Sequence, residues 1–277
     1  MISTATILSC LVTLFICLLL PPLILIIFSA KNRGQRLPTA WLLGAAGFFA
    51  TQILIRLPIL SFLQTQNWFL SFAENHMFAY AFLLSLTAGL FELAGRFAVA
   101  YMMRKNLTFR RSIAAGLGHG GIEAMLLIGV TYVNNLIYIL MIRSGAFHAV
   151  IAEAAAAGVE PAQLYAIQDA LINTSPALFL LAGFERILSM TAHVGMSAIV
   201  CYGVHCKKPL VGALICLAIH TLLDLTAGIN LLAGNGLSQT AAYLIIYAIL
   251  TAAAALSLWI LKEIRSRWPE TEVTHHV

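Results

Sequence analysis

The chain has 277 residues, of which 61% are hydrophobic and only 10% are charged, and its mean hydropathy is +0.91. Soluble domains carry about 25% charged residues, so this composition excludes a soluble globular domain and indicates an integral membrane protein. The net charge of +5 comes mainly from basic residues in short loops, which indicates control of membrane topology and excludes a nucleic-acid partner.

Seven apolar runs are long enough to cross a bilayer, since about 20 helical residues span its hydrocarbon core. We therefore predict an all-α fold, a polytopic bundle of seven transmembrane helices that forms a single integral membrane domain over residues 1–277. The first run shows no cleavable signal, and Pro21 and Pro22 predict a kink in it. The runs cover roughly residues 4–29, 38–63, 76–103, 112–142, 176–204, 209–232 and 238–261.

The loops alternate in basic content. Twelve of the sixteen Lys and Arg residues fall on one side of the predicted membrane, and only Arg143 falls on the other. Basic loops stay in the cytoplasm, so we predict an outside N-terminus and a cytoplasmic C-terminus. The long outer segment, residues 143–175, predicts two short helices, and the tail from Trp268 onward is expected to be disordered.

Ten ionisable side chains remain inside the predicted spans, where such groups are expensive and point to function. They are Arg56, Glu92, Arg96, His119, Glu123, Glu185, Arg186, His193, His220 and Asp224. Three pairs on three different helices are spaced four residues apart, which places each pair on one helix face. Arg56 has no ionisable partner at that spacing on its own helix, so we interpret it as structural.

Depth in the membrane groups four of these residues. Glu92, Glu123, His193 and His220 each lie about eleven residues, or about 16 Å, from the predicted cytoplasmic end of a different helix. Unrelated structural residues need not agree in depth, whereas a site built at one level would. His119 and Glu123 also lie in a stretch with four glycines between Gly116 and Gly121, which lets other helices approach closely.

Three chemistries fit this set. A carboxylate beside an imidazole can activate water for attack on a carbonyl, with a cation or imidazole stabilising the oxyanion. Glu123, His193 and His220 are candidate ligands of a catalytic zinc ion, although the local HExxH signature is missing. The same residues also suit the proton relay of a coupled transporter. A non-catalytic scaffold that binds helices through the glycine-rich face is the further alternative.

Four motifs, in this order and spacing, resemble the YhfC family of intramembrane metalloproteases. They are Phe91-Glu92-x-x-x-Arg96, Gly116-x-Gly118-His119-Gly120-Gly121-x-Glu123-Ala124, Glu185-Arg186 with His193, and His220-x-x-x-Asp224. That family is grouped with the CAAX prenyl proteases, the bacteriocin-processing enzymes, the PrsW proteases and a non-catalytic scaffold subunit. The resemblance implies a four-helix catalytic core, here within residues 76–232, around a membrane-embedded site that hydrolyses peptide bonds.

One position departs from the superfamily pattern. The resemblance implies a glutamate where this chain has Phe91, and that glutamate is the usual water-activating base. Either Glu92 or Glu123 takes that role, or hydrolysis has been lost. His119 stands where relatives place a phenylalanine, and it adds an ionisable group that can compensate.

From these observations we predict an intramembrane protease of a bacterial cytoplasmic membrane, with a site that opens toward the cytoplasmic half. Its partners are the lipid bilayer and a membrane protein or peptide substrate. Glu123 or Glu92 is the expected base, Arg96 and Asp224 orient other groups, and His193 and His220 are metal ligands or oxyanion donors. Together with His119, Glu185 and Arg186, these six make nine predicted catalytic residues. Zinc is the expected metal.

Overall fold

The computed structural model describes residues 2–158, 160–232 and 237–268. Seven helices in this part of the chain are long and apolar enough to cross a membrane, which confirms the prediction. We number them α1, Thr4–Lys31; α2, Leu37–Leu63; α3, Met77–Asn106; α4, Phe109–Ser144; α5, Pro176–His205; α6, Pro209–Asn230; and α7, Gln239–Arg267. The protein is an integral membrane protein, and its orientation in the bilayer stays a prediction.

Three shorter helices connect the spans. Asn67–Asn75 lies between α2 and α3, and Phe147–Ala156 and Ala162–Asn173 lie between α4 and α5. The last two confirm the helices predicted in the outer segment, and Pro161 immediately precedes the second of them. Most of the predicted disordered tail lies outside the described residues. Trp268 is an exception, because its buried ring stacks against the ring of His205.

Three of the spans contain a short π-helical segment, which no sequence pattern predicted. These segments are Phe15–Leu19 in α1, Phe49–Arg56 in α2 and Ala124–Gly129 in α4. The first ends two residues before Pro21 and Pro22, which lack the amide hydrogens that would bond to carbonyls one turn earlier. The second ends at Arg56 and the third begins directly after Glu123, and π-helical insertions are frequent at functional sites.

The chain groups into two compact units, whose boundaries fall inside α1, α4 and α5. The first unit comprises residues 1–23 and 124–187, and its core includes Cys10, Tyr132 and Ile139. Two hydrogen bonds lie within this unit, because the hydroxyls of Thr13 and Tyr132 both donate to the backbone carbonyl of Phe179, over 2.7 and 3.0 Å.

The second unit comprises residues 24–123 and 188–277. Glycines set the spacing of its helices. A Cβ added at Gly44 in α2 would lie 1.9 Å from the carbonyl oxygen of Ala115, and one at Gly118 in α4 would lie 1.9 Å from that of Trp41. The backbones of α2 and α4 therefore touch, as in the close packing of small residues in membrane helices. Such contact brings short side chains from several helices within reach of one another.

Candidate active site

The carboxylate of Glu92 on α3 is the centre of a buried polar cluster in the second unit. One of its oxygens, Oε2, lies 2.6 Å from His220 Nε2 on α6 and 3.0 Å from His119 Nε2 on α4. The guanidinium of Arg96, one turn along α3, donates to the same oxygen over 3.2 Å. All four residues are at most 4% exposed. Two imidazoles and a guanidinium from three helices thus converge on a single atom.

A second carboxylate, that of Glu123 on α4, is joined to this centre through His193 on α5. His193 Nε2 lies 2.7 Å from Glu123 Oε2, and His193 Nδ1 lies 3.7 Å from Glu92 Oε2. Arg96 Nη2 lies 2.6 Å from the same Nδ1. Because a guanidinium only donates, Nδ1 accepts this bond, and neutral His193 then carries its proton on Nε2, toward Glu123. Arg96 therefore fixes the tautomer of His193.

Gly120 makes room for the imidazole of His193. A Cβ at Gly120 would lie 2.9 Å from the Cβ of His193, whereas one at Gly89 would lie 3.5 Å from the Cβ of His220, an ordinary van der Waals distance. Any larger residue at Gly120 must therefore displace the imidazole that links the two carboxylates. The glycine-rich stretch of α4 thus holds the site open as well as packing the helices.

His220 faces carboxylates on both sides. Its Nδ1 lies 3.3 Å from Oδ2 of Asp224, one turn along α6, and its Nε2 faces Glu92. The Asp224 side chain is 35% exposed, whereas that of His220 is 3% exposed. A carboxylate behind an imidazole can fix the direction of the ring. The spacing of the two residues does bring them close together, and the orienting role of Asp224 stays a prediction.

The structure brings six of the nine predicted catalytic residues into one cluster of direct contacts. Asp224 lies at the edge of this cluster, where it is close to His220. These six residues form the cluster of the second unit: Glu92, Arg96, His119, Glu123, His193 and His220. His119 and Glu123, spaced on one helix face, contact residues of other helices. Glu185 and Arg186 belong to the first unit, where Arg186 donates to Glu185. Their catalytic role stays a prediction.

Sequence reasoning missed Gln52 on α2. Its Nε2 donates to the other oxygen of Glu92, Oε1, over 2.8 Å, and Gln52 is 5% exposed. A neutral amide gives no charge signal in an apolar span. The only hint in the sequence is Arg56, four residues later, whose Nη1 donates to Gln52 Oε1 over 3.3 Å.

The carboxylate and imidazole groups of this cluster are of the kind that bind a metal ion. Glu92, His119 and His193 each offer one ligand atom, and these atoms lie within 4.8 Å of one another. Two ligands of one tetrahedral zinc ion are about 3.4 Å apart, given metal–ligand bonds of about 2.1 Å. The distances from Glu92 Oε2 to His119 Nε2 and His193 Nδ1, 3.0 and 3.7 Å, bracket that value. The ligand set predicted from the sequence was Glu123, His193 and His220, and metal binding by that set stays a prediction.

A small cavity lies next to the cluster and is large enough for about one water molecule. Two of the residues that line it carry buried polar atoms that have no hydrogen-bond partner within the described residues, namely Nε and Nη1 of Arg96 and Oγ of Ser197. The cavity is lined by Gly44, Arg96, Val99, Ala115, His119, Ser197 and Cys201. A cavity of this size holds about one water molecule.

The fold and the cluster define a polytopic membrane protein with a buried carboxylate and imidazole centre of the kind that holds a metal ion. Residues 16–247 match the family model described as "YhfC intramembrane metalloprotease", and the chain belongs to this family. It is 29% identical over 242 residues to the "Uncharacterized membrane protein YhfC" of Bacillus subtilis (strain 168), covering 87% of this chain and 90% of that protein. No solved structure matches the chain. A bacterial cytoplasmic membrane is the location that fits this family.

Proposed function

We propose that the protein hydrolyses peptide bonds of membrane-embedded proteins or peptides at the Glu92 cluster. The observation that carries this proposal is the convergence of His119, His220 and Arg96 on one oxygen of Glu92, in side chains that are almost completely buried. The name of the family supports the same class of reaction. Burying so many ionisable groups in membrane-spanning helices is costly, and a functional site is the usual reason for it.

Zinc is the metal that this donor set suits, and when bound it supplies a Lewis acid. Glu92, His119 and His193 would hold it, with His220 against the same carboxylate oxygen. Arg96 Nη2 contacts both Glu92 Oε2 and His193 Nδ1, so the guanidinium and a metal ion compete for these two atoms. His119 Nε2 faces Glu92 Oε2, so a proton that it carries there would have to leave before a metal could bind, and the metal affinity would depend on pH.

We assign the role of general base to Glu123. The side chain of Glu123 is 12% exposed, compared with 5% for that of Glu92, so water reaches Glu123 more readily. Glu123 takes the proton of the attacking water, and His193, held by Arg96, keeps its N–H toward the carboxylate. His220, directed by Asp224, is a ligand or a donor to the oxyanion. Ser197 and Arg96 line the adjoining water-sized cavity.

Replacing Glu123 by Gln removes the proposed base while keeping the size of the side chain. We expect the turnover of a fluorescently labelled single-span peptide in proteoliposomes to fall about 10²- to 10⁴-fold, the usual contribution of general base catalysis. Zinc content, measured by elemental analysis, is expected to stay at the wild-type level.

The matched control is Glu74→Gln, which makes the same change at an exposed position of the short helix Asn67–Asn75. It is expected to cleave at the wild-type rate. Wild-type turnover in Glu123→Gln would show that Glu123 is not the base.

A non-catalytic scaffold is the second candidate, and Phe91 in place of the motif glutamate favours it. The two functions differ in which residues matter. A scaffold tolerates Glu123→Gln but loses partner binding when a bulky residue replaces Gly120, whereas a protease loses activity with either change.

A further inference from the structure

The carboxylate of Glu92 is held differently at its two oxygens. Oε2 faces the imidazoles of His119 and His220 and the guanidinium of Arg96. Oε1 accepts a hydrogen bond from Gln52 Nε2 over 2.8 Å. Gln52 comes from α2, a helix that carries none of the predicted site residues, and its Nε2 also lies 3.4 Å from the carbonyl oxygen of Ala88 on α3.

The direction of the Gln52 amide is set by Arg56. Arg56 Nη1 donates to Gln52 Oε1 over 3.3 Å, while Nη2 donates to the backbone carbonyl of Leu84 over 2.7 Å. A guanidinium has no acceptor, so it can pair only with the oxygen of the amide. The amide nitrogen is thereby turned toward the carboxylate. With the amide reversed, two oxygens would face each other and Arg56 would face an N–H group.

The segment that presents these two residues is the π-helical stretch Phe49–Arg56. Its ends continue directly into α-helix, so the stretch is an insertion within one long span. Such insertions occur often at functional sites. Gln52 is buried and Arg56 is half-buried, so the amide contacts Glu92 inside the unit while the guanidinium lies behind it.

We propose that Gln52 is a positioning residue for Glu92, and that Arg56 acts through it. Gln52 occupies Oε1, so Oε2 is left facing the imidazoles. In the proposed enzyme, Oε2 would be the oxygen available to a metal ion. This inference rests on the proposed function for its consequence, though not for its geometry. It assigns a role in the site to Arg56, which the sequence had suggested was merely structural.

Gln52→Met keeps the length of the side chain and removes the N–H donor. We expect it to weaken the binding of Co²⁺ to the purified full-length protein, followed by visible absorption, about 10- to 100-fold, as is typical when a group behind a metal ligand is removed. Arg56→Met is expected to weaken binding in the wild-type background but to add nothing in the Gln52→Met background, because residues that act through one another are not additive. Arg56→Lys, which keeps a donor, should bind more tightly than Arg56→Met.

The matched control is Gln64→Met, at the exposed C-terminal end of the same helix, and it should bind Co²⁺ as the wild type does. Wild-type binding by Gln52→Met, or losses that multiply in the double variant, would overturn the proposal. If Gln52→Met does not fold, Arg56→Met alone decides, since wild-type binding by it contradicts the relay and weaker binding supports it.

A wild-type protein that takes up no Co²⁺ counts against the proposed metal and not against this contact. The coupling is then read from thermal unfolding of Gln52→Met, Glu92→Gln and the double variant. Changes that are not additive support the positioning of Glu92 by Gln52, and additive changes overturn it.

Discussion

Glu92→Gln is expected to abolish peptide hydrolysis and to remove metal binding from the purified protein. The carboxylate accepts from His119, His220 and Arg96, whereas an amide offers one oxygen and two N–H groups to partners that are mostly donors. The loss of metal affinity should exceed the 10- to 100-fold that is typical of a residue behind a ligand. Elemental analysis and turnover of the labelled peptide measure the two effects.

The same substitution is expected to destabilise the fold. It leaves Arg96, which is 3% exposed, without its carboxylate. Removing one partner of a buried ion pair costs about 3–5 kcal/mol. The chain offers a matched control in Glu263→Gln, because Glu263 and Arg267 form a pair of the same spacing at 3.1 Å, but with side chains that are 38% and 68% exposed. Exposed pairs contribute about 0–1 kcal/mol, so this control should unfold close to the wild-type temperature.

Two results would contradict this account. If the Glu92→Gln variant still bound metal and cleaved the peptide, Glu92 would not be the central residue of the site. Equal unfolding temperatures for Glu92→Gln and Glu263→Gln would show that the buried pair of Glu92 and Arg96 stabilises the fold no more than the exposed pair does.

The second large effect is expected from Gly118→Ala, which adds a single methyl group. Its Cβ would lie 1.9 Å from the carbonyl oxygen of Trp41, so the backbone of α2 or α4 has to move. Overpacking by a methylene typically costs about 1–3 kcal/mol and occasionally more. We expect the upper end here, because a backbone carbonyl yields less readily than a flexible side chain. The temperature of unfolding in detergent, followed by tryptophan fluorescence, is the measurement.

Gly89→Ala is the control for this prediction. The nearest atom to its added Cβ is Cδ1 of Leu217, at 3.0 Å, which is the end of a flexible side chain. We expect a clearly smaller loss of stability than for Gly118→Ala. Equal losses in the two variants would show that the contact between α2 and α4 is not unusually tight.

The spans were predictable because about 20 apolar residues in a row have few alternatives to a membrane helix. The observed bounds differ from the predicted ones by at most six residues at either end, as in α7, which ends at Arg267. Charged and polar ends such as Lys262–Arg267 continue a helix beyond the apolar run. The π-helical segments were not predictable, since hydropathy does not distinguish an α-helical turn from a π-helical one.

The site was predictable as a layer but not as a set of contacts. Matching depths placed Glu92, Glu123, His193 and His220 at one level, and the structure brings these four together. Spacing along a helix correctly paired Glu92 with Arg96 and His220 with Asp224.

The same spacing rule was of no help for His119 and Glu123. They share a helix face, yet His119 contacts Glu92 on α3 and Glu123 contacts His193 on α5. Which residues meet across helices depends on close approach of backbones, as at Gly120 beside His193. No rule of spacing within one helix contains that information. Gln52 was missed for the further reason that a neutral side chain carries no charge by which to find it.

The central claim is that Glu92 and the imidazoles around it form one metal-binding catalytic centre. X-ray absorption at the zinc edge of the zinc-loaded protein tests this most directly. We predict a ligand shell of nitrogen and oxygen only, at about 2.0–2.2 Å, with the scattering pattern of coordinated imidazole, and its loss in Glu92→Gln. A shell containing sulfur at about 2.3 Å, or a spectrum unchanged by Glu92→Gln, would place the metal elsewhere and contradict the account.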